Sequence, residues 1–293
     1  MVTEAGQATG PGRQPAYEDP QLAARYEHGN EMPAESLRAW AELIAGYAPE
    51  EAASAPGTSP ASTAGARMPG VLEVGSGTGM FCTALARALP AAEVTGVEPS
   101  GPMRAEAERH HAHPRVRYLA GSAERLPVPA AGFGLALLSR VVHHLPDRPA
   151  AARELARVLR PGGRLVIRTT VRERLDAPVY RYWPRLLETD AARFPSEQEI
   201  LADFRPAGFR VHRVHSFAQP VAADLRQWRE RVAGRAQSKF LALSEAEFAA
   251  GLARVDAEVA GARGSEPVLE RYDVIVLERV GGVGTAAPGE GAK

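Results

Sequence analysis

The chain has 293 residues, and its 35 Lys and Arg residues balance its 35 Asp and Glu residues, so its formal net charge is zero. This balance excludes the strongly basic surface that would attract nucleic acid or an anionic membrane. The single cysteine, Cys82, excludes an internal disulfide and a metal site made only of cysteines. No run of 18 apolar residues and no hydrophobic signal core occur, so we expect a cytoplasmic protein without a membrane span.

The N-terminal part is predicted to hold two helices between flexible segments. Residues 1–15 are rich in Gly, Pro and polar residues and predict a disordered tail. Residues 16–47 predict the helices, because apolar residues recur there at spacings of three and four. Residues 48–69 are low-complexity Ala, Ser, Pro and Gly, which indicates a flexible loop.

A strand, a glycine-rich turn and a helix are predicted in succession from residue 70. The apolar run 71–74 is followed by Gly75, Gly77 and Gly79, and a helical pattern then continues to residue 89. Such a turn holds a ligand against bare backbone and against a helix N-terminus. A dinucleotide fingerprint would need a glycine at position 80, where this chain has Met80.

The next predicted strand, residues 93–97, ends at an acid. Glu98 lies 19 positions after Gly79. An acid about 20 residues past such a glycine turn can accept hydrogen bonds from ribose hydroxyls. The alternative is a solvated carboxylate at the end of a strand.

The rest of the segment up to residue 170 alternates helix and strand. Helices are predicted at 101–111 and 153–159, and strands at 116–120, 133–139 and 164–168. The strand at 133–139 is nearly all apolar, as expected for a strand buried on both faces. The histidines at 110, 111 and 113 point to different sides of a helix end and lack a completing acid or cysteine, so no metal site is predicted.

Beyond residue 170 two helical insertions interrupt the pattern. They span residues 171–200 and 219–265, and each contains a capping box, at Ser196 and at Ser244. Strands are predicted at 208–214 and 271–280, and a flexible glycine-rich tail at 281–293.

Four phrases together resemble class I S-adenosylmethionine-dependent methyltransferases. They are the G-S-G-T-G turn at 75–79, the acid Glu98, the strand exit at 139–146 and the phrase R-V-L-R-P-G-G at 157–163. The resemblance implies an α/β, doubly wound, seven-stranded and mostly parallel Rossmann-like sheet with one antiparallel strand. It implies a methyltransferase domain over residues 70–280, with the insertions as a lid over the acceptor.

The resemblance also implies S-adenosylmethionine as the cofactor. The family pattern places these residues at it: Glu73, Gly75, Ser76, Gly77, Gly79, Glu98, Pro99, Met103, Ser122, Ala123 and Ser139. Met103 would touch the adenine face. Ser122 stands where the family usually has Asp, and the Ala123 amide would serve the neighbouring ring nitrogen. Gly134 stands where many relatives carry an acid.

Three residues are candidates for catalysis. His143 and His144 follow the fourth strand, and an imidazole titrates in the range that suits a general base. His144 is preferred because its position is commonly histidine in relatives, although a structural role is the alternative. By the same resemblance Tyr26 would face the reacting methyl group, and the alternative is that it packs its helix onto the domain.

The first insertion suggests an anionic acceptor. Forked guanidinium groups there would clamp a carboxylate or a diphosphate. The candidates are Arg168, Arg172, Arg174, Arg181 and Arg185. Three aromatic neighbours, Tyr180, Tyr182 and Trp183, would stabilise a cation if an alkene carbon were methylated, so a prenyl diphosphate suits both features. The alternative is a solvated lid whose arginines pair with Glu173, Asp176 and Glu188.

The sequence therefore predicts methyl transfer to a small molecule, for example in secondary metabolism. The alternative is a protein that binds this cofactor but serves as a scaffold or catalyses another reaction. Met80 disfavours a nicotinamide-dependent oxidoreductase. The charge balance, and the lack of an Asn/Asp-Pro-Pro-aromatic motif after the fourth strand, disfavour a nucleic-acid methyltransferase. Both a monomer and a homodimer are compatible with the sequence.

Overall fold

A computed structural model describes residues 32–49, 69–235, 238–262 and 264–281. Tyr26 and the predictions for the two terminal tails, for the first N-terminal helix and for most of the loop before residue 70 lie outside the described residues. Within the described ranges, no helix combines the length and the apolar character needed to cross a membrane.

The described helices and strands follow one another in an α/β pattern up to β5. The helices are α1 Ala34–Ala45, α2 Met80–Ala88, α3 Gly101–His110, α4 Arg148–Val158, α5 Val179–Tyr182, α6 Pro184–Arg193, α7 Glu197–Phe204, α8 Leu225–Ala233 and α9 Glu245–Gly261. The strands are β1 Gly70–Val74, β2 Val94–Glu98, β3 Val116–Ala120, β4 Phe133–Ser139, β5 Leu159–Thr169, β6 Phe209–Ala222 and β7 Val268–Arg279.

All seven strands form one sheet in the order β3-β2-β1-β4-β5-β7-β6. The pairs among β1 to β5 are parallel, whereas β7 runs antiparallel to both β5 and β6. This confirms the predicted doubly wound, mostly parallel sheet with one antiparallel strand. The carboxyl ends of β1, β2, β4 and β5 therefore meet at one edge, which is where ligands bind in open α/β sheets.

Two hydrophobic layers cover the sheet. On one face, buried side chains of α4 and α7, such as Leu155 and Phe204, pack on the strands. On the other face, Trp40 of α1 and Leu85 of α2 pack against buried residues of β1 and β4. Because both faces are covered, the central strands carry continuous apolar runs, as predicted for β4.

The insertions form one helical unit, here called the lid, that spans α5, α6, α8 and α9. Its apolar core contains residues of both insertions, including Trp183, Trp228 and Phe248. Trp183 packs directly on Gly251 of α9 and donates a hydrogen bond to the Phe248 carbonyl at 3.1 Å. The first insertion therefore cannot bury its aromatic side chains without the second.

Three strand boundaries differ from the prediction. β5 begins at Leu159, because Phe133 pairs with Leu159 before an irregularity in the register brings Leu135 opposite Arg164. β6 runs on to Ala222, eight residues past its predicted end, and β7 begins at Val268. These two strands extend together as an antiparallel ribbon. Its buried positions include the polar residues Gln219 and Glu270, so no alternating apolar pattern marks it in the sequence.

Candidate active site

The glycine-rich turn joins β1 to α2 and is fastened to β2. Its three glycines, Gly75, Gly77 and Gly79, have φ angles of 69°, 54° and 87°, a region that side-chain-bearing residues rarely adopt. The backbone amides of Gly75 and Ser76 donate to the Val97 carbonyl at 2.7 and 3.2 Å. The turn is thus fixed at the carboxyl edge of the sheet, with the N-terminus of α2 behind it.

Glu98 is held beside this turn by two backbone amides. Its Oε2 accepts from the Gly77 amide at 2.9 Å, and its Oε1 accepts from the Ser100 amide at 3.0 Å. A carboxylate oxygen can accept more than one hydrogen bond, so this orientation leaves acceptor capacity for a ligand. A Cβ placed on Gly77 would meet no heavy atom of the described residues within 4 Å, so the space at the turn is open.

Glu73 lies in β1, just before the turn. It is only 2 % exposed and accepts a hydrogen bond from the Cys82 thiol, with Sγ and Oε2 3.0 Å apart. Burial raises the pKa of Glu73 to about 8, and the nearby charge of Glu98 adds to the rise. A cationic ligand group near Glu73 would favour its ionised form.

The residues predicted at the adenine lie around the start of α3 and after β3. Ser100 caps α3 by accepting from the Met103 amide at 3.2 Å, and Met103 is buried. Ser122 bridges to Arg125 in a short turn, and Ala123 is buried beside it. Pro99 follows Glu98 at the tip of β2.

These residues fit a nucleoside with an amino-acid tail. The open space at Gly77 admits a ligand to the backbone, and Glu98 has a fixed carboxylate for a sugar. The Ser76 hydroxyl is buried and has no hydrogen-bond partner among the described residues, so it is available to a polar ligand group. S-adenosylmethionine supplies a methyl group on a sulfonium, which a nucleophile can take up directly.

The exit of β4 connects this crevice with a second site. The side chain of Val141 occupies the place that a Cβ on Gly75 would take, so the exit packs against the glycine turn. Arg140, at the bend, has a φ of 59° and donates its amide to the Arg168 carbonyl at 2.7 Å. Non-glycine residues held in this conformation cluster at functional sites. Ser139, the last residue of β4, precedes the bend.

A polar pocket opens at the same edge of the sheet, between the β4 and β5 exits, the start of β7 and the lid. It encloses about 700 Å³, part of which is open to solvent. Its lining residues are Arg140, His143, His144, Thr170, Ala177, Tyr180, Asp190, Arg193, Phe194, Lys239, Glu270, Arg271 and Tyr272. The predicted histidines thus share one pocket with four cationic and two acidic side chains.

The two histidines are adjacent and electrostatically coupled to arginine. Their ring centroids are 4.1 Å apart, and Arg193 Nη2 lies 2.9 Å from His144 Nε2. Burial lowers the pKa of His144 to about 3, and the charges of Arg193 and Arg140 add to the shift. Burial lowers the pKa of His143 well below its usual range as well, and its Nδ1 has no hydrogen-bond partner in the described ranges.

Arg168 does not line the pocket. It is buried in a cage of aromatic rings, with its guanidinium carbon 3.9 Å from the Tyr272 ring centroid and 4.6 Å from that of Trp40. Its Nη1 reaches Ser139 Oγ at 3.4 Å and its Nη2 donates to Gln219 Oε1 at 3.1 Å. Arg168 therefore lies outside the lining of this pocket and contacts Ser139 at the end of β4.

The other predicted arginines form ion pairs on the lid surface or at its base. Arg172 pairs with Glu199 at 2.9 Å, Arg181 with Glu258 at 2.9 Å, and Arg185 with Glu247 at 2.8 Å. Arg174 contacts both Glu197 and Asp273, at 2.6 and 2.5 Å. These arginines therefore pair with acids, as in the alternative of an ion-paired lid. Their partners, however, are not the predicted Glu173, Asp176 and Glu188.

The predicted aromatic residues separate in the same way. Of these three residues, Tyr182 and Trp183 belong to the buried core of the lid, and only Tyr180 lines the pocket.

The sequence interpretation missed the pocket residues Arg140, Arg193, Lys239, Asp190, Glu270 and Tyr272. Only Arg140 carried a local signal, because it follows the fourth strand within the phrase that also contains the two histidines. In the ranges that the structure describes, no three His, Cys, Asp or Glu residues group as they would around a metal ion.

Comparison with known proteins agrees with this geometry. A family described as "Methyltransferase domain" matches residues 72–167. The ubiquinone/menaquinone biosynthesis C-methyltransferase UbiE of Syntrophotalea carbinolica is 31% identical over 165 residues, which cover 48% of this chain and 68% of that one. The demethylmenaquinone methyltransferase of Staphylococcus aureus is 30% identical over 176 residues, or 52% and 72% of the two chains.

A solved structure shows the same fold. It is a putative methyltransferase from an antibiotic biosynthesis pathway of Anabaena variabilis, with a TM-score of 0.56 and 24% identity, over 71% of this chain and 90% of that one. A shared fold does not by itself establish a reaction. The assignment of methyl transfer therefore rests on the two sequence relatives, which are both methyltransferases. The chain belongs to the class I S-adenosylmethionine-dependent methyltransferases, and it transfers the methyl group of that cofactor to a small-molecule acceptor.

Proposed function

We propose that the acceptor is a small molecule with an anionic head, such as a carboxylate, a diphosphate or an ionised hydroxyl, and that it binds in the polar pocket. The observation that carries this proposal is the set of cations in the pocket, namely Arg140, Arg193, Lys239 and Arg271. Cofactor binding by the crevice residues from Glu73 to Ser139 belongs to the same proposal.

The charge balance of the pocket favours an anion. The two carboxylates in the pocket, Asp190 and Glu270, each accept a hydrogen bond from a tyrosine hydroxyl. Arg271 forms an ion pair with Asp176, which lies 3.5 Å from its Nε, and the charge of Lys239 acts on Glu270. The cations outnumber the acids, and in a partly buried pocket their attraction for an anion is screened less than in water.

The relatives support an acceptor that becomes nucleophilic on losing a proton. Their names place them in quinone biosynthesis, and one of them is named as a C-methyltransferase. An ionised phenol or enol is nucleophilic at its oxygen and at the carbon one position beyond the C–O carbon, that is, the ortho or α carbon. The arginines of this pocket would stabilise such an anion in the same way as a carboxylate.

His144 suits the role of proton acceptor at this site. The imidazole is neutral but only weakly basic before an anion binds, because its pKa is about 3. Burial is the main cause of this low pKa, and the cations Arg193 and Arg140 add to it. An acceptor anion between them would offset their charge and make His144 more basic when the acceptor is bound.

The remaining residues have a positioning role in this proposal, which the packing of the β4 exit supports. The exit of β4 packs on the glycine turn and also lines the pocket, so an acceptor in the pocket lies next to the crevice. Alignment of a nucleophile with the methyl group contributes roughly 7–11 kcal/mol to such a reaction. Arg193 and Lys239 would shield the pocket from water on the side of the lid.

The proposal is tested by finding the labelled product. The protein is incubated with S-adenosylmethionine carrying a deuterated methyl group and with a metabolite extract, and the extract is then separated on an anion-exchange column. We expect mass spectrometry to identify a labelled product whose unmethylated acceptor carries an acidic group. We also expect Arg140→Met and Arg193→Met to reduce the label at least tenfold, whereas Arg213→Met, exposed on β6, leaves it unchanged. A labelled product whose unmethylated acceptor carries no acidic group would contradict the proposal.

A further inference from the structure

We propose that Asp190 and Glu270 determine acceptor specificity by selecting a molecule that carries a hydroxyl or amino donor in addition to its anionic head. This inference rests on the proposed function, because it assigns the second recognition element of the same pocket.

The two carboxylates are buried and stand on different walls of the pocket. Asp190 belongs to α6 of the lid and is 5 % exposed, whereas Glu270 belongs to β7 at the sheet edge and is 9 % exposed. Tyr180 donates its hydroxyl to Asp190 Oδ2 at 2.8 Å, and Tyr272 donates to Glu270 Oε2 at 2.6 Å. Each acid is therefore oriented by a neighbouring tyrosine.

Glu270 is ionised at neutral pH. Burial by itself would raise its pKa, but the nearby charge of Lys239, the hydrogen bond from Tyr272 and the charges of Arg140 and Arg168 together outweigh burial and lower that pKa. An ionised carboxylate accepts hydrogen bonds and donates none. The Glu270 side of the pocket therefore repels a second anion and attracts an O–H or N–H group.

Each carboxylate keeps one oxygen for a ligand. The tyrosine bonds use Asp190 Oδ2 and Glu270 Oε2, and no described residue donates to Asp190 Oδ1 or to Glu270 Oε1. The tyrosine hydroxyls have already given their only protons, so they offer no donor to the ligand. A ligand that fills the pocket displaces water from these two oxygens, and leaving them without a donor is then costly, so a suitably placed donor on the ligand avoids that cost.

Charge therefore divides the pocket by function. Arg140, Arg193 and Lys239 bind the anionic head of the acceptor. Asp190 and Glu270 accept a hydrogen bond from a donor elsewhere on the same molecule. An anion of the same size but without a donor would leave buried carboxylate oxygens unpaired. Sites built to hydrogen-bond a substrate hydroxyl reject the analogue that lacks it for this reason.

The test compares matched anions that differ by one donor. Benzoate, 3-hydroxybenzoate, 4-hydroxybenzoate and phenol are titrated by calorimetry into the protein saturated with S-adenosylhomocysteine. We expect at least one hydroxybenzoate to bind about tenfold or more tightly than benzoate, because a hydrogen bond to a charged group is formed. We expect Asp190→Asn or Glu270→Gln to reduce this ratio severalfold, and Glu188→Gln, exposed on the same helix as Asp190, to leave it unchanged.

The possible results separate this inference from the proposed function. Equal binding of benzoate and both hydroxybenzoates by the unaltered protein would overturn the inference and leave the anionic head intact. If the protein bound phenol but no carboxylate, or bound none of the four probes, the proposal of an anionic head on the acceptor would be overturned as well. If Asp190→Asn does not fold, the inference is tested by the ratio of hydroxybenzoate affinity to benzoate affinity in Glu270→Gln, because Glu270 lies on the sheet and not in the lid. An unchanged ratio in a folded Glu270→Gln variant would also contradict the inference.

Discussion

Arg168 donates a hydrogen bond from Nη2 to Gln219 Oε1 over 3.1 Å, and both side chains are almost completely buried. Trp40 donates its indole N–H to the same oxygen at 2.6 Å. One amide oxygen therefore joins β5, β6 and α1. Because the Arg168 guanidinium also reaches Ser139 at the end of β4, the N-terminal helix α1 is fastened to the strand end beside the proposed cofactor crevice.

Replacing Arg168 by Lys should loosen this junction. The ammonium keeps the charge but cannot span Gln219 and Ser139 as the guanidinium does, and it stacks less well on aromatic rings. We expect the free energy of unfolding to fall by about 1.5–3 kcal/mol, measured with a chemical denaturant. Arg213→Lys, at an exposed position of β6, is the control and should have no effect. A stability of Arg168→Lys equal to that of the unaltered protein would show that the junction contributes little.

Two glycines of the turn should respond differently to alanine. A Cβ on Gly79 would overlap the Tyr118 hydroxyl, whereas a Cβ on Gly77 would enter open space. Both variants carry the strain of a positive φ, about 1–2 kcal/mol. We expect Gly79→Ala to lose more stability, and Gly77→Ala to lose mainly affinity for S-adenosylmethionine, measured by calorimetry. Tyr118→Phe combined with Gly79→Ala should recover part of the lost stability. Full cofactor affinity in Gly77→Ala would contradict the placement of the cofactor at this turn.

Glu73 should make stability depend on pH in a defined direction. Its pKa is about 8 in the folded protein, so it keeps its proton at pH values where the unfolded chain, ionising near 4.5, has lost it. The unfolded state then binds fewer protons, and the free energy of unfolding falls as pH rises from about 4.5 to 8. His143 and His144 act in the opposite direction, but only below their usual pKa of 6.5.

The contribution of Glu73 is therefore isolated between pH 6.5 and 8. Over this interval we expect the unaltered protein to lose about 2 kcal/mol relative to Glu73→Gln. Denaturant unfolding at four pH values measures the difference, and Glu108→Gln, exposed on α3, serves as the control. Parallel pH profiles for the unaltered protein and Glu73→Gln would contradict the raised pKa.

The lid should depend on the contact between Trp183 and Gly251. A Cβ on Gly251 would overlap the indole ring, and overpacking of a buried contact costs about 1–3 kcal/mol, more than the roughly 1 kcal/mol that alanine contributes to helix propensity. We expect Gly251→Ala to destabilise the lid and to weaken acceptor binding while cofactor affinity is kept. Gly261→Ala, where a Cβ would meet nothing, is the matched control on the same helix. Equal melting temperatures of the two variants would contradict this account.

The sheet and the glycine-rich turn that borders the proposed cofactor crevice could be predicted because their signals are local. The turn from Gly75 to Gly79 follows its strand directly, and Glu98 ends the next strand. The apolar run of β4 likewise reflects burial on both faces of the sheet. These features need no knowledge of distant contacts.

The acceptor pocket could not be predicted in the same way because its residues converge from separate segments. Asp190, Lys239 and Glu270 come from three elements that meet only when the two insertions pack together. The arginine-rich stretch from Arg172 to Arg185 suggested anion binding, but its side chains find acids 23 to 99 residues away in sequence. Sequence shows the charges, and only the fold shows which of them are already paired.

The most direct test of the whole account is a crystal structure of the protein with S-adenosylhomocysteine. We predict that both ribose hydroxyls lie within about 3 Å of the Glu98 carboxylate. We also predict that the cofactor sulfur faces the pocket between Arg140 and His144. A nucleoside bound elsewhere, or a sulfur directed away from that pocket, would contradict the account.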